Sequence, residues 1–229
     1  MARNVYLALG DSITFGHEAT ERDRTFVSQI SSTVRRLSLA ERTLVVARNG
    51  WTASDLLQAV RFWIPPAVWE TTNVLTLLVG GNDLRRRYYS ICLGSQREAV
   101  IRRSLNEFSM YMDHLCRSIK SQRIPYVLVP TVYNPVPNSP IAVEAVEQLN
   151  RVIHKCAAKY HFTLVDIYAA FKGKEHLYIN RYRNGRLEDL MLPFRRPIHP
   201  NDEGHRKIAE LVEFHLCKQL RDGKRTKRC

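Results

Sequence analysis

The chain has 229 residues, 45% hydrophobic and 25% charged. That balance is ordinary for a soluble globular protein, argues against a membrane-spanning bundle, and suits one large α/β domain with a sizeable core. The formal charge of +13, from 35 Lys+Arg against 22 Asp+Glu, favours anionic partners or a highly solvated surface. No apolar run approaches a membrane span. Met1-Ala2-Arg3-Asn4 leads straight into a strand pattern with no signal-peptide signature, so the expected location is the cytoplasm. The five cysteines (Cys92, Cys116, Cys156, Cys217 and Cys229) are odd in number, widely spaced and without a CxxC pair. They suggest neither a disulfide framework nor a zinc site, and thiols in helix-like segments are expected reduced and partly buried.

Apolar, β-branched runs alternate along the chain with stretches of helical period. The first run, Val5–Leu9, ends abruptly in the turn Gly10-Asp11-Ser12. A helix is expected near Phe26–Leu39, a strand at Thr43–Ala47 and a helix at Ala53–Phe62. The strand Val74–Val79 and a helix near Ser95–Gln122 come next, then a strand at Tyr126–Val129. Asn134-Pro135-Val136-Pro137-Asn138-Ser139-Pro140 reads as a stiff loop beside the site. A helix at Ile141–Tyr160, a strand at Thr163–Ile167 and an irregular excursion over Lys172–Pro197 lead to His199. The last helix, Asp202–Leu220, is followed by a basic tail from Asp222, which sets the expected domain at 1–221. Five strands with helical crossovers predict a flavodoxin-like three-layer α/β/α sandwich around a parallel sheet. Such sheets bind ligands at the carboxyl ends of their strands.

The turns after the first three strands carry Ser12, Gly50 and Asn82, so all three emerge on that one edge. A serine hydroxyl attacks an acyl carbon only with a base within reach and donors where negative charge develops. Ser12 can be the nucleophile and supply one backbone donor. Gly50 allows close backbone approach, Asn82 offers a side-chain amide, and His199, fixed by Pro200, is the base. Taken singly, a Gly-Asp-Ser turn, an Asn beside a loop or a lone histidine is ordinarily structural; the four together read as an acyl-transfer site. Asn201 is positioned to cap the last helix. His205 lacks helical metal-pair spacing with His199, so no metal is expected. No cofactor is expected either, and no nucleotide loop follows a strand.

The blocks Gly10-Asp11-Ser12, Gly50, Gly80-Gly81-Asn82-Asp83 and His199-Pro200 resemble, in order and over most of the chain, a GDSL esterase/lipase of the SGNH hydrolase superfamily. The resemblance implies a flavodoxin-like fold, Ser12 as nucleophile, Ser12, Gly50 and Asn82 as oxyanion hole, and His199 as base. The absence of a second glycine after Ser12 separates the motif from the GxSxG elbow. There is one departure. Relatives of this type place an aspartate three residues before the histidine, and here that position is Arg196. Asp189 is preferred as the replacement acid, narrowly over Glu188; a Ser–His pair oriented by a backbone carbonyl is the other possibility. Arg85-Arg86-Arg87 follows Asn82-Asp83, and Arg195-Arg196 precedes His199. A solvated charge run is the ordinary reading; as substrate contacts, Arg85, Arg86 and Arg196 would select anionic esters.

The expected activity is cofactor-independent serine hydrolysis of small or single-chain acyl esters through an acyl-enzyme. A lysophospholipase, a carbohydrate acetylesterase, or a non-catalytic binder of acidic polymers on a decayed hydrolase scaffold are the alternatives.

Overall fold

The structure is a computed structural model, described here for residues 3–86, 97–192 and 194–226. Arg87, Cys92 and Cys229 lie outside the described residues. Strands β1 (Val5–Gly10), β2 (Arg42–Ala47), β3 (Thr72–Leu78), β4 (Tyr126–Pro130) and β5 (Thr163–Val165) form one parallel sheet in the order β2-β1-β3-β4-β5. This is the doubly wound flavodoxin order, with its switch point between β1 and β3. β1 is buried along its whole length between β2 and β3, which is why it reads as a continuous apolar run without alternation.

Among the described residues the helices, in chain order, are α1 (Ser12–Phe15), α2 (Phe26–Arg36), α3 (Ala53–Phe62), α4 (Pro66–Thr71) and α5 (Gly81–Arg85). They continue with α6 (Arg97–Ser121), α7 (Pro140–Tyr160), α8 (Ile167–Phe171), α9 (Glu175–Tyr178) and α10 (Asp202–Thr226). α2 packs on α10, while α6 packs on both α3 and α7, giving helical layers on the two faces of the sheet. The intervening core includes Tyr6, Leu7, Leu9, Phe26, Leu75, Leu77 and Phe108, all essentially inaccessible. Cys116 on α6 and Cys156 on α7 are free and buried within it.

Three differences from the expected elements have local causes. β5 stops at Val165 because Asp166 accepts the amide of Ala169 and starts α8 within the expected strand. The expected excursion 172–197 contains α9 and a 3-10 turn, Leu187–Met191, and is pinned by an antiparallel bridge between Ile179 and Pro200. α10 runs on to Thr226, through the expected boundary of the tail. At its start, Asn201 accepts the amide of Gly204 and caps the helix.

Candidate active site

Ser12 is delivered by geometry that begins one residue inside β1. Gly10 pairs with Ala47 on one side and Leu78 on the other, and a Cβ there would stand 2.5 Å from the Leu78 carbonyl and 2.1 Å from Thr14 Oγ1. Only glycine lets the chain turn so tightly between two strands. Asp11 then caps α1, its carboxylate accepting the Ile13 amide at 3.0 Å. Ser12 is therefore the first residue of a helix, where backbone N–H groups have no helical acceptor.

His199 arrives from the other end of the chain. The Tyr133 hydroxyl donates to the Ile198 carbonyl at 2.7 Å, and the Asn180 amide donates to the His199 carbonyl at 2.9 Å. Held this way, the imidazole Nε2 lies 3.1 Å from Ser12 Oγ, across 187 positions of sequence. Burial and the neighbouring His17 push the His199 pKa down to about 4, against the opposing pull of Glu18. The ring is accordingly neutral near pH 7 and able to accept a proton.

Gly50 and Asn82 line the same space as Ser12. Gly50 has φ +79°, a left-handed conformation that suits glycine, and space that a side chain would otherwise fill lies open beside it. Asn82 is buried; its Nδ2 donates to the Trp51 carbonyl at 3.0 Å, and a second N–H remains on the same nitrogen. Asp83 accepts the Ala53 amide, tying the β3 turn to the start of α3. Asp11 and Asp83 are both raised to about 7, chiefly by burial, and for Asp83 also by the charge of Asp11.

The three arginines singled out in the sequence have different placements. Arg85 lines both cavities beside Ser12, and its Nε donates to Asn82 Oδ1 at 3.1 Å, which holds the carboxamide in place. Arg86 donates to the Gly50 carbonyl at 3.1 Å and pairs with Asp55 at 2.7 Å. Its guanidinium thus braces Gly50 and the cap of α3, and Arg86 lines neither cavity beside Ser12. Arg196 does line the polar cavity, with its Nε donating to the Leu192 carbonyl at 2.6 Å.

Asp189 is not brought to His199. It is buried, and Oδ2 accepts the amides of Asn184 at 3.0 Å and Gly185 at 2.9 Å, closing its own loop. The carboxylate beside His199 belongs to Glu18, which sequence reasoning missed: Oε2 is 3.6 Å from Nδ1. His17, Glu18 and His199 present ligand atoms within 4.8 Å of one another, a grouping with the composition of a metal site. Glu18 is already paired there with Arg181, and His17 with Asn49.

Two spaces meet at Ser12. One, of about 130 Å³, is walled by Leu84, Ile101, Val132, Val136, Ala145 and Leu190, among others, and is predominantly apolar. Asn134, Pro135 and Val136 of the proline-rich loop form part of it, as the sequence suggested. The other, far more polar in its lining than the first, opens between Glu18, Asn49, Gly50, Phe194, Arg195 and Arg196. An apolar slot on one side of a serine and a polar mouth on the other fit the two halves of an acyl ester.

The family model described as "GDSL-like Lipase/Acylhydrolase family" matches residues 8–207. The chain is 25% identical over 213 residues to the spore germination lipase LipC of Bacillus licheniformis, covering 90% of this chain and 92% of that protein. Among solved structures it is similar to the lipase Lip_vut3 from a goat rumen metagenome, with TM-score 0.75, 22% identity and coverage of 93% and 97% of the two chains. It is similar also to phospholipase A1 from Streptomyces albidoflavus NA297, with TM-score 0.66, 19% identity and coverage of 93% and 98%. At these identities the structural likenesses speak for the fold alone.

Proposed function

This chain belongs to the GDSL-like lipase/acylhydrolase family and is a carboxylic ester hydrolase, and we propose that Ser12 is its nucleophile and His199 its general base. The observation that carries this reading is the 3.1 Å contact between Ser12 Oγ and His199 Nε2 at the junction of an apolar and a polar cavity.

For Nε2 to accept the serine proton, the neutral imidazole must hold its own proton on Nδ1. Ser12 Oγ attacks the ester carbonyl as its proton passes to Nε2. The carbonyl oxygen takes up negative charge between the Ser12 amide, the Gly50 amide and Asn82 Nδ2. Collapse of the tetrahedral species expels the alcohol, protonated by His199, and leaves an acyl group on Ser12. Water, activated by the same ring, then hydrolyses that acyl-enzyme and regenerates the serine. Arg85 and Arg86 contribute indirectly, by holding the Asn82 carboxamide and the Gly50 peptide in place before substrate arrives.

The substrate half bearing the acyl chain occupies the apolar cavity, which is roomier than an acetyl group requires. That favours a single aliphatic acyl chain over a carbohydrate acetate. The alcohol half leaves through the polar mouth, where Arg196 supports tolerance of an anionic group. The free thiols of Cys116 and Cys156 suit action in the cytoplasm.

The test is Ser12→Ala assayed on short acyl esters, lysophospholipids and acetylated sugars. Loss of the nucleophile should lower turnover on every accepted ester by about 10⁴–10⁶-fold. Undiminished hydrolysis by Ser12→Ala would refute the assignment.

A further inference from the structure

We propose that Glu18, carried on the turn directly after the Ser12 helix, is the carboxylate that orients His199, standing in for the acid usually found just before the histidine. The proposal rests on the reading of Ser12 and His199 as nucleophile and base and adds the positioning residue that this pair needs.

His199 Nδ1 is buried and has no hydrogen-bond partner within ordinary reach among the described residues. An unpaired buried ring nitrogen costs free energy unless a partner is at hand. Glu18 Oε2 lies 3.6 Å away, with both side chains largely shielded from solvent. Catalytic hydrogen bonds are often long in the absence of substrate, and a closure of about half an ångström gives normal geometry. The competing candidates are engaged elsewhere: Asp189 is consumed by two loop amides, and Arg196 at the usual acid position turns its side chain to the Leu192 carbonyl.

The carboxylate is aimed rather than merely nearby. Glu18 Oε1 pairs with Arg181 Nη1 at 2.7 Å, and Oε2 accepts from Asn180 Nδ2 at 3.2 Å. Asn180 also donates its backbone amide to the His199 carbonyl, so one residue holds both partners. The turn is fixed at each end. His17 donates its amide to the Ser12 carbonyl at 2.9 Å, and Asp202 accepts the Thr20 amide and hydroxyl at 3.0 and 2.6 Å. Glu18 itself has φ 67°, as does Arg181 at 53°, conformations that non-glycine residues adopt only under surrounding constraint. The strained turn therefore does something specific: it swings a carboxylate from the serine's own segment under the histidine. With Arg181 balancing its charge on the far oxygen, Glu18 can accept the Nδ1–H as the imidazolium forms.

The charged and titratable groups facing His199 are His17 and Glu18 from the turn, Arg85 from α5 and His205 from α10, with Arg181 behind Glu18. Of these Glu18 is the one that favours the protonated ring through both charge and hydrogen bonding. Its removal should depress the His199 pKa further, and loss of the Nδ1–H hydrogen bond separates an orienting role from a mere nearby charge.

The experiment compares Glu18→Gln and Arg181→Gln with the unmutated protein and Ser12→Ala. In Glu18→Gln, kcat should fall by about 10²–10³-fold with KM little changed, short of the 10⁴ lost when a tightly bonded acid is removed. The acid limb of kcat/KM should move to lower pH, and the far-downfield imidazole N–H proton resonance of the parent should disappear. Arg181→Gln should give a smaller loss with the limb displaced the opposite way, to higher pH, because the Glu18 charge beside the ring is then no longer balanced. Activity of Glu18→Gln within threefold of the parent would overturn the proposal, as would a loss with no movement of the limb. If Glu18→Gln does not fold, the parent's N–H resonance and Arg181→Gln decide instead: no downfield proton, or an unaltered Arg181→Gln profile, would overturn it. Failure here is separable from failure of the parent reading. An inactive Ser12→Ala beside a fully active Glu18→Gln removes Glu18 alone, whereas an active Ser12→Ala removes the nucleophile.

Discussion

Acyl-chain length is the property most directly written in the cavity beside Ser12. Its volume of about 130 Å³ has room for about four waters at about 30 Å³ each, the space of a short alkyl chain. An aliphatic chain entering it leaves water at about 0.8 kcal/mol per methylene. A tenfold change in rate corresponds to about 1.4 kcal/mol, so each buried methylene should raise kcat/KM about fourfold. From acetate to hexanoate the gain should approach about 10²-fold, then level off as the chain reaches the cavity end. Ala145, buried on α7 and facing this space, allows the cavity to be shortened. Ala145→Phe should abolish most of the rise with length while leaving acetate hydrolysis within about twofold, because the ring takes volume that only longer chains use. The assay is kcat/KM over a series of p-nitrophenyl esters from acetate to decanoate, on both proteins. A flat profile in the parent, or equal losses across the series in Ala145→Phe, would refute the assignment of this cavity to the acyl chain.

Asn82→Ala should lower kcat by about 10²–10³-fold with little effect on KM, and Arg86→Met should cost about tenfold through a loosened Gly50 peptide; steady-state kinetics on one good ester checks both. Because burial and His17 hold His199 near a pKa of about 4, the base stays unprotonated well below pH 6. A pH profile of kcat/KM should therefore stay level from neutrality down toward that value and fall only as the ring takes up its proton; a midpoint near 6.5 would contradict the burial argument. Arg196→Gln should weaken hydrolysis of esters with an anionic alcohol more than matched neutral ones, measured as the ratio of their kcat/KM values. Equal effects on both would remove Arg196 from the substrate contacts.

Much of this architecture is legible in the sequence because its signals are local. β1 and β4 are buried almost throughout and read as apolar runs, and β3 reads as one from Val74 on, broken only by the buried Thr76. The turns after β1, β2 and β3 hold small or amide residues at the ligand-binding edge, so Ser12, Gly50 and Asn82 can be picked out before any coordinates. What local pattern cannot convey is which side chain reaches which backbone. Arg86 reads as part of a charge run, yet its acceptors, the Gly50 carbonyl and Asp55, are set by the approach of α5 to the β2 turn and α3, whereas Arg85 bonds Asn82 Oδ1 three residues back on its own helix. The family resemblance points to an acid just before His199, where this chain has Arg196. Glu18 belongs to a turn without helical or strand periodicity, and its meeting with His199 depends on contacts spanning 162 and 163 positions, those of Asn180 and Arg181. The one sequence signal was proximity: Glu18 follows the nucleophile turn by six residues. Asp189 failed for a similar reason, its carboxylate being claimed by amides four and five residues away.

The central claim, that Ser12 is activated by His199 as an acyl-accepting nucleophile, is tested most directly by covalent capture. The intact protein is treated with a serine-directed phosphonate and mapped by peptide mass spectrometry. A single adduct on Ser12, formed in the parent and not in His199→Ala, is the predicted result. An adduct on another serine, or none while the protein still hydrolyses esters, would contradict it.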